Sequence, residues 1–473
     1  MLRLLIRKEI REIVYSTKFV LTFGAMSVLI LLSFYTGALN YQHALDEGEA
    51  AAAELEQNLQ NRTSWIGVQA STYLTPRPLE AVVTGLSNDL ARSRTIWVQP
   101  IAKRNSSRYS EEPVWAMFRS IDLEFILTVV LSLFAIVFAY DSVSGERERG
   151  TLSLAMSNSV PRSTFLLGKI VGTFAALFIP LLVPMLLGAL MLPLLGVPIQ
   201  GDDWLRLSLI LATGGLYLSL FLILSTFVSS LVKRSSAAFL ALSITWIMLV
   251  IVLPRLAIVI AGRSVDVPSK ESLDFEIGKA RFQQFENLDG KLGDAMRNVD
   301  LSHITREEYD STINTILGGL LADQVEQESN NLRRLRENQR NRRQQREALA
   351  LSIARVSPAT SMRLVATRLA NTGVDMASDY EDVVDEYESV FRSFVVGKEG
   401  KAAFTGNNWR PFTPGARLID PAELPRAALV RPSLSSDLNE SLPDLALLLL
   451  FNLVTFAFAF QSFSRCDLRQ PPG

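Results

Sequence analysis

Residues 19–39 read FVLTFGAMSVLILLSFYTGAL and carry no charge. A helix needs about 20 apolar residues to cross the roughly 30 Å hydrocarbon core of a bilayer, so this run is long enough to span one. Working outward along the chain, five more runs qualify: 121–140, 170–192, 207–231, 237–254 (or to 262) and 443–463. Asp122 and Glu124 fall in the first turn of the second run, Asp444 at the edge of the last, and Arg255 directly after Pro254. Snorkelling to the membrane interface is the ordinary reading of all four.

The whole chain agrees with that reading. Of its 473 residues 48% are hydrophobic and 20% charged, whereas soluble domains carry about 25% charge. Abundant Leu, Val, Ile and Phe exclude disorder, and the single Cys466 excludes a disulfide framework. A net charge of −1 argues against nucleic-acid binding. With only His43 and His303, no metal site is expected. The expected fold class is an all-α membrane protein with six transmembrane helices, an N-terminal amphipathic interfacial helix and a largely helical extracytoplasmic domain.

Basic residues set the expected orientation. Arg3, Arg7, Lys8, Arg11 and Lys18 precede the first span; Arg147, Arg149, Arg162 and Lys169 lie between the second and third. Lys233 and Arg234 lie between the fourth and fifth, and Arg465 and Arg469 follow the sixth. The short loop between spans three and four offers Arg206 alone. Both termini are therefore expected in the cytoplasm. Segments 40–120 and 263–442 then lie outside as extracytoplasmic regions, and 464–473 is a cytoplasmic tail.

In residues 1–18 Leu2, Ile6, Ile10, Ile13 and Val14 recur at helical spacing, with basic residues between them. The pattern predicts an amphipathic helix on the cytoplasmic interface, although an ordinary positively charged flank has the same composition. The connection 141–169 is the densest motif. Glu146, Arg147, Glu148 and Arg149 alternate in charge and Gly150 breaks the segment. Thr151 is placed to cap a short helix carrying Leu152, Leu154 and Met156, before Pro161 ends it. Such a helix suits docking to a cytosolic protein; the pattern alone fits an ordinary loop as well.

On these residues the chain resembles the permeases of type-2 ABC transporters, in a bacterial subgroup with large extracytoplasmic insertions. The features shared are Glu146 through Leu152, Pro161–Arg162 and Gly168–Lys169. Lys8–Glu9, Pro76–Arg77–Pro78–Leu79 with Gly85, Asp122 at the start of span two, and Ser357–Pro358–Ala359–Thr360 also match. The resemblance implies a multi-pass protein of the bacterial inner membrane, with residues 146–156 as the helix coupling it to a cytosolic ABC ATPase dimer. It implies that Arg3, Arg7, Lys8, Glu9 and Arg11 lie near that ATPase. It also implies a second permease, identical or related, as partner, with membrane lipid and a periplasmic or extracellular protein as further candidates. ATP and Mg would sit on the ATPase. No G-x-x-x-x-G-K-[ST] loop occurs in this chain, and no protease or hydrolase motif, so no catalytic residue is assigned.

Between Asp323 and Glu347 the sequence is almost wholly polar, with Arg333, Arg334, Arg336, Arg340, Arg342, Arg343 and Arg346. Lacking Gly and Pro, it predicts a long helix over about 306–354, with a second from Pro358, capped by Ser357, to about Ala370. The arginines read either as an outer docking surface or as a solvated face met by the acidic run 375–388. Two functions follow: ATP-driven export, or force transmission to the outer domains and a partner protein.

Overall fold

The computed structural model of the protein describes residues 1–60, 62–90, 92–98, 121–157, 161–297, 305–400, 403, 418–427 and 429–465; His303, Cys466 and Arg469 lie outside them. It opens with the basic helix α1 (Leu2–Val14). The Ser16 hydroxyl then accepts a hydrogen bond from the Phe19 amide and starts α2 (Thr17–Leu59). That helix continues past its apolar run because residues 46–58 are rich in Ala and Glu, both strong helix formers. Five further helices are long and apolar enough to cross a membrane: α3 (Leu123–Glu148), α5 (Arg162–Leu194), α6 (Gly201–Leu231), α7 (Ser235–Ser264) and α12 (Leu434–Ser464). A short α4 (Thr151–Ser157) lies between α3 and α5. Between α7 and α12 come α8 (Lys270–Arg297), α9 (Arg306–Ala354), α10 (Pro358–Ala370) and α11 (Val374–Glu399). Among the described residues the only strands are β1 (Ala70–Tyr73) and β2 (Ser93–Ile96), antiparallel with Ala70 opposite Ile96. The all-α class holds, with this small hairpin added.

Helix α6 is the hub of the bundle and packs against α3, α5, α10 and α12. Gly214 and Gly215 permit that closeness: a Cβ there would lie 3.0 Å from Leu127 and 2.9 Å from Phe178. Polar side chains also tie α6 to α12. Ser219 donates to Asn452 Oδ1 at 2.7 Å, and Asn452 Nδ2 donates to the Leu216 carbonyl at 3.2 Å, the kind of interhelical bond that substitutes for a hydrophobic drive in lipid. α3 and α7 each contain a π-helical turn, at Ile126–Leu131 and Ile247–Val252. Such turns disturb the regular carbonyl ladder, and here a hydroxyl from elsewhere attends each. Tyr217 donates to the Thr128 carbonyl at 3.0 Å, and Ser357 to the Leu249 carbonyl. Ser357 therefore does not cap α10 with its side chain, as its position before Pro358 predicts; its hydroxyl is used by α7 instead.

The two ends of the bundle differ. At the end away from α1, helix α10 is wedged among the spans, and Met362, Val365, Ala366 and Leu369 join one apolar core with Leu127, Tyr217 and Leu448. Ion pairs lock it there. Arg206, 1% exposed, donates to Asp437 Oδ2 at 2.5 Å and to the Leu369 and Pro432 carbonyls at 3.0 Å each. Arg355 holds both oxygens of Asp444 at 2.8 and 3.1 Å, and Arg363 meets Glu124 at 2.9 Å. The snorkelling reading of the span-edge acids is thus corrected for three of them. Asp444 and Glu124 are buried and paired, and Asp122 accepts from the Thr84 and Phe125 amides at 3.0 and 2.9 Å. Arg255 is exposed.

Beyond this end, α9 and α11 lie side by side. Arg340 forms a bidentate pair with Asp382, while Arg343 reaches Glu381 at 3.4 Å and Arg336 reaches Glu388 at 3.6 Å. Arg342 donates to the Asp266 carbonyl at 3.5 Å; Arg333 and Arg334 are exposed and Arg346 is half-buried.

Candidate functional site

The site is built at the opposite end, where α1, α4 and the ends of α3 and α5 meet. In α1 the basic residues Arg3, Arg7, Lys8 and Arg11 are exposed, while Glu9 is buried against α5. Close approach is possible because α5 presents Gly168 and Gly172 one turn apart. A Cβ at Gly168 would lie 2.9 Å from the Leu5 Cβ, and one at Gly172 would lie 2.7 Å from the Glu9 Cβ.

Lys169, between those glycines, is the centre of the arrangement. Its ammonium lies 2.9 Å from Glu9 Oε1 and 2.8 Å from Glu146 Oε1, and Lys8 Nζ stands 3.7 Å from the same Glu146 oxygen. The side chains of Lys169, Glu9 and Glu146 are 8%, 11% and 6% exposed. One buried cation thus ties the basic helix, the end of α3 and α5 together. Removing one partner of such a cluster strands the others and costs about 3–5 kcal/mol.

The charged residues after Glu146 reach the remaining spans. Arg147 donates to the Ser230 and Val232 carbonyls at 3.3 and 3.2 Å, satisfying groups that the C-terminus of α6 leaves open. Glu148 accepts from the Ser235 amide and hydroxyl at 2.9 and 2.8 Å, at the start of α7. The Val143 and Ser144 amides donate to Ser229 Oγ at 3.1 and 3.0 Å. Arg162 donates to the last carbonyls of α12, and Phe165 stacks on Phe463 with centroids 5.5 Å apart. Every span therefore ends in this cluster or is joined to it through α1.

From that base α4 projects. Arg149 donates back to the Gly145 carbonyl at 3.1 Å, and Gly150 turns the chain with φ 71°, a value that favours glycine. The Thr151 hydroxyl donates to the Glu146 carbonyl at 3.2 Å, from the first residue of α4. Leu152 is buried among Val143, Leu166 and Ile170, with Met156 packed beside them. Leu154 is 67% exposed on the other face. The short helix is thus anchored by one leucine and presents another outward. No group of His, Cys, Asp and Glu able to hold a metal occurs among the described residues.

The motif residues 146–156 and the α1 residues are thus brought together. The arginines of α9 lie in the separate region beyond the other end. Sequence reasoning used Lys169 only as a flanking basic charge and as part of the Gly168–Lys169 resemblance, and gave no role to Ser229 or Ser235. Gly168-x-x-x-Gly172 is the signal that marks where α1 lies, since small residues four apart permit close helix approach.

The family model described as ABC-2 family transporter protein matches residues 3–468, nearly the whole chain. A comparison with curated proteins gives no match.

Proposed function

The chain belongs to the ABC-2 transporter family, and on that premise we propose that it is the permease subunit of an ATP-driven exporter, paired with a second permease and driven by a separate cytosolic ABC ATPase dimer. In this reading the α1 end faces the cytoplasm, both termini lie there, and α4 is the helix that docks on the ATPase. The supporting observation is the buried Glu9–Lys169–Glu146 cluster, which makes the base of α4 rigid with the spans. Displacement of α4 is then delivered to α5 directly, to α6 through Arg147 and to α7 through Glu148. ATP and Mg belong to the partner in this account, and catalysis is assigned to no residue here.

A second reading has its own support. Arg206 of α6 pairs with Asp437 of α12 and donates to the Leu369 carbonyl of α10, Arg355 just before α10 pairs with Asp444 of α12, and Arg363 of α10 pairs with Glu124 of α3, so movement of the spans also displaces α10 and the helices joined to it. That suits force transmission to an outer partner as well as export.

Purification of the detergent-solubilised chain from its native membranes, with mass spectrometry and an ATPase assay, tests the proposal. A P-loop ATPase is expected with the wild type and lost from Leu154→Arg, whose exposed position leaves folding intact, and from the Glu146→Ala, Glu148→Ala double variant. Absence of any ATPase from the wild type would overturn the proposal.

A further inference from the structure

At the end away from α4, a cavity of about 340 Å³ opens between the Pro76–Arg77–Pro78 stretch, the α10–α11 corner and the first turns of α12. That volume falls in the roughly 300–1,000 Å³ range of small-ligand sites. Four acids and two arginines line it, and most are accounted for by one another. Arg368 takes Asp375 at 2.9 Å and Glu440 at 3.5 Å, and Asp437 is held by Arg206 from behind. Two are left over. Arg77 donates to the Leu429 carbonyl at 3.2 Å, and among the described residues it has no carboxylate partner and Asp379 has no ion pair or hydrogen bond.

Their surroundings sharpen the contrast. Burial, then Arg431 and Arg206, push the Arg77 guanidinium below its usual range. Partial desolvation at the cavity rim, then Asp375, Asp382 and Asp437, push the Asp379 carboxyl above its own, although the residue stays largely exposed. Those neighbours are themselves paired, Arg206 with Asp437, Arg431 with Asp203, Asp375 with Arg368 and Asp382 with Arg340, so among the described residues Arg77 and Asp379 are the lining cation and anion without an ion pair. A third lining residue, Asn371, is 6% exposed, and its side-chain nitrogen has no hydrogen-bond partner. Met376, Leu429 and Val430 add apolar wall. A simple anion would meet the acids, and a simple cation the arginines. A short zwitterion meets neither objection.

We propose that this cavity binds a small zwitterion, its anionic group taken by Arg77 and Asn371 and its ammonium by Asp379. Guanidinium forks match phosphate oxygens in particular. Ser436, Asp437 and Glu440 lie in the first two turns of α12, just ahead of its apolar run, so the cavity stands at the edge of the membrane-crossing region. A phosphate–ammonium group, as on zwitterionic phospholipids, has both the charges and the location. The assignment goes beyond the coupling reading and does not depend on it.

The test uses the full chain and needs no ATPase. Calorimetry with O-phosphoethanolamine is run beside inorganic phosphate and ethanolamine, and native mass spectrometry is run on chain taken from phosphatidylethanolamine or phosphatidylglycerol nanodiscs. The zwitterion is expected to bind at least tenfold more tightly than either single-charge probe, and Arg77→Gln and Asp379→Asn are each expected to weaken it about tenfold. Asp379 is exposed, so its variant folds whatever Arg77→Gln does. Retention of phosphatidylethanolamine over phosphatidylglycerol identifies a lipid headgroup; binding of the soluble probe alone identifies a free solute. Binding of neither, phosphate binding as tightly as the zwitterion, or zwitterion binding unchanged in Asp379→Asn overturns the proposal.

Discussion

Both ends of the helical bundle are held by buried ion pairs, but they are wired differently. At the α4 end the charges belong to short segments. Glu146, Arg147 and Glu148 are consecutive and each reaches a different helix, with Lys169 as the buried centre. At the α10 end each pair joins segments distant in sequence: Arg206 with Asp437, Arg363 with Glu124, Arg355 with Asp444. The first arrangement is a compact base for one exposed helix. The second is a lock around an inserted one. The difference suggests an input end, where a partner pushes on a single element, and an output end, where motion is shared by several.

Arg206→Met should give the largest effect. It leaves Asp437 buried without its partner, and a loss of about 3–5 kcal/mol is expected, read as a lower midpoint in thermal or denaturant unfolding. If the two ends are separate, the surviving folded fraction still retains the ATPase. Lys169→Met is expected to cost about as much, since it strands Glu9 and Glu146, and to release the ATPase as well. Loss of ATPase from the Arg206 variant and its retention by the Lys169 variant would reverse the assignment of the ends.

The same contrast explains what was legible in the sequence. The six spans follow from apolar runs alone, and α9 from the polar run Asp323–Glu347 without Gly or Pro, around which the helix extends from Arg306 to Ala354. The residues of the α4 end were legible because they are nearly contiguous. The lock was not: its partners stand far apart in sequence, and a single acid at a span edge looks the same whether it snorkels or pairs. Lys169 was hidden for a related reason, since a lysine flanking a span reads as a topogenic charge until α1 is placed against Gly168 and Gly172.

Smaller effects sharpen the comparison. Ser357→Ala removes the hydroxyl that meets the Leu249 carbonyl at the π-turn, and about 1–3 kcal/mol of destabilisation is expected, with hydrogen exchange rising locally in α7. Leu154→Arg should leave stability within about 0.5 kcal/mol, as exposed substitutions usually do, while abolishing ATPase retention; equal losses of both would place Leu154 in the core of the base.

The smallest effect is expected from acid. The paired guanidinium of Arg340 holds the Asp382 carboxyl below its usual range. The stabilisation is therefore present above the ordinary carboxylate value near 4 and is lost as pH falls through the depressed one. Hydrogen exchange along α9 and α11 should rise in the wild type as pH falls below the ordinary carboxylate value of about 4, and the rise should be weaker in Asp382→Asn.

The central claim, that α4 is where the ATPase docks, is tested most directly by cross-linking. With Cys466 replaced by Ser, a single cysteine is placed at Leu154 or, as the opposite-end control, at Asp382, and a short thiol-to-amine reagent is added to the intact native complex. The account predicts a covalent product with a P-loop ATPase from position 154 and none from position 382. A product from 382 and none from 154 would contradict it.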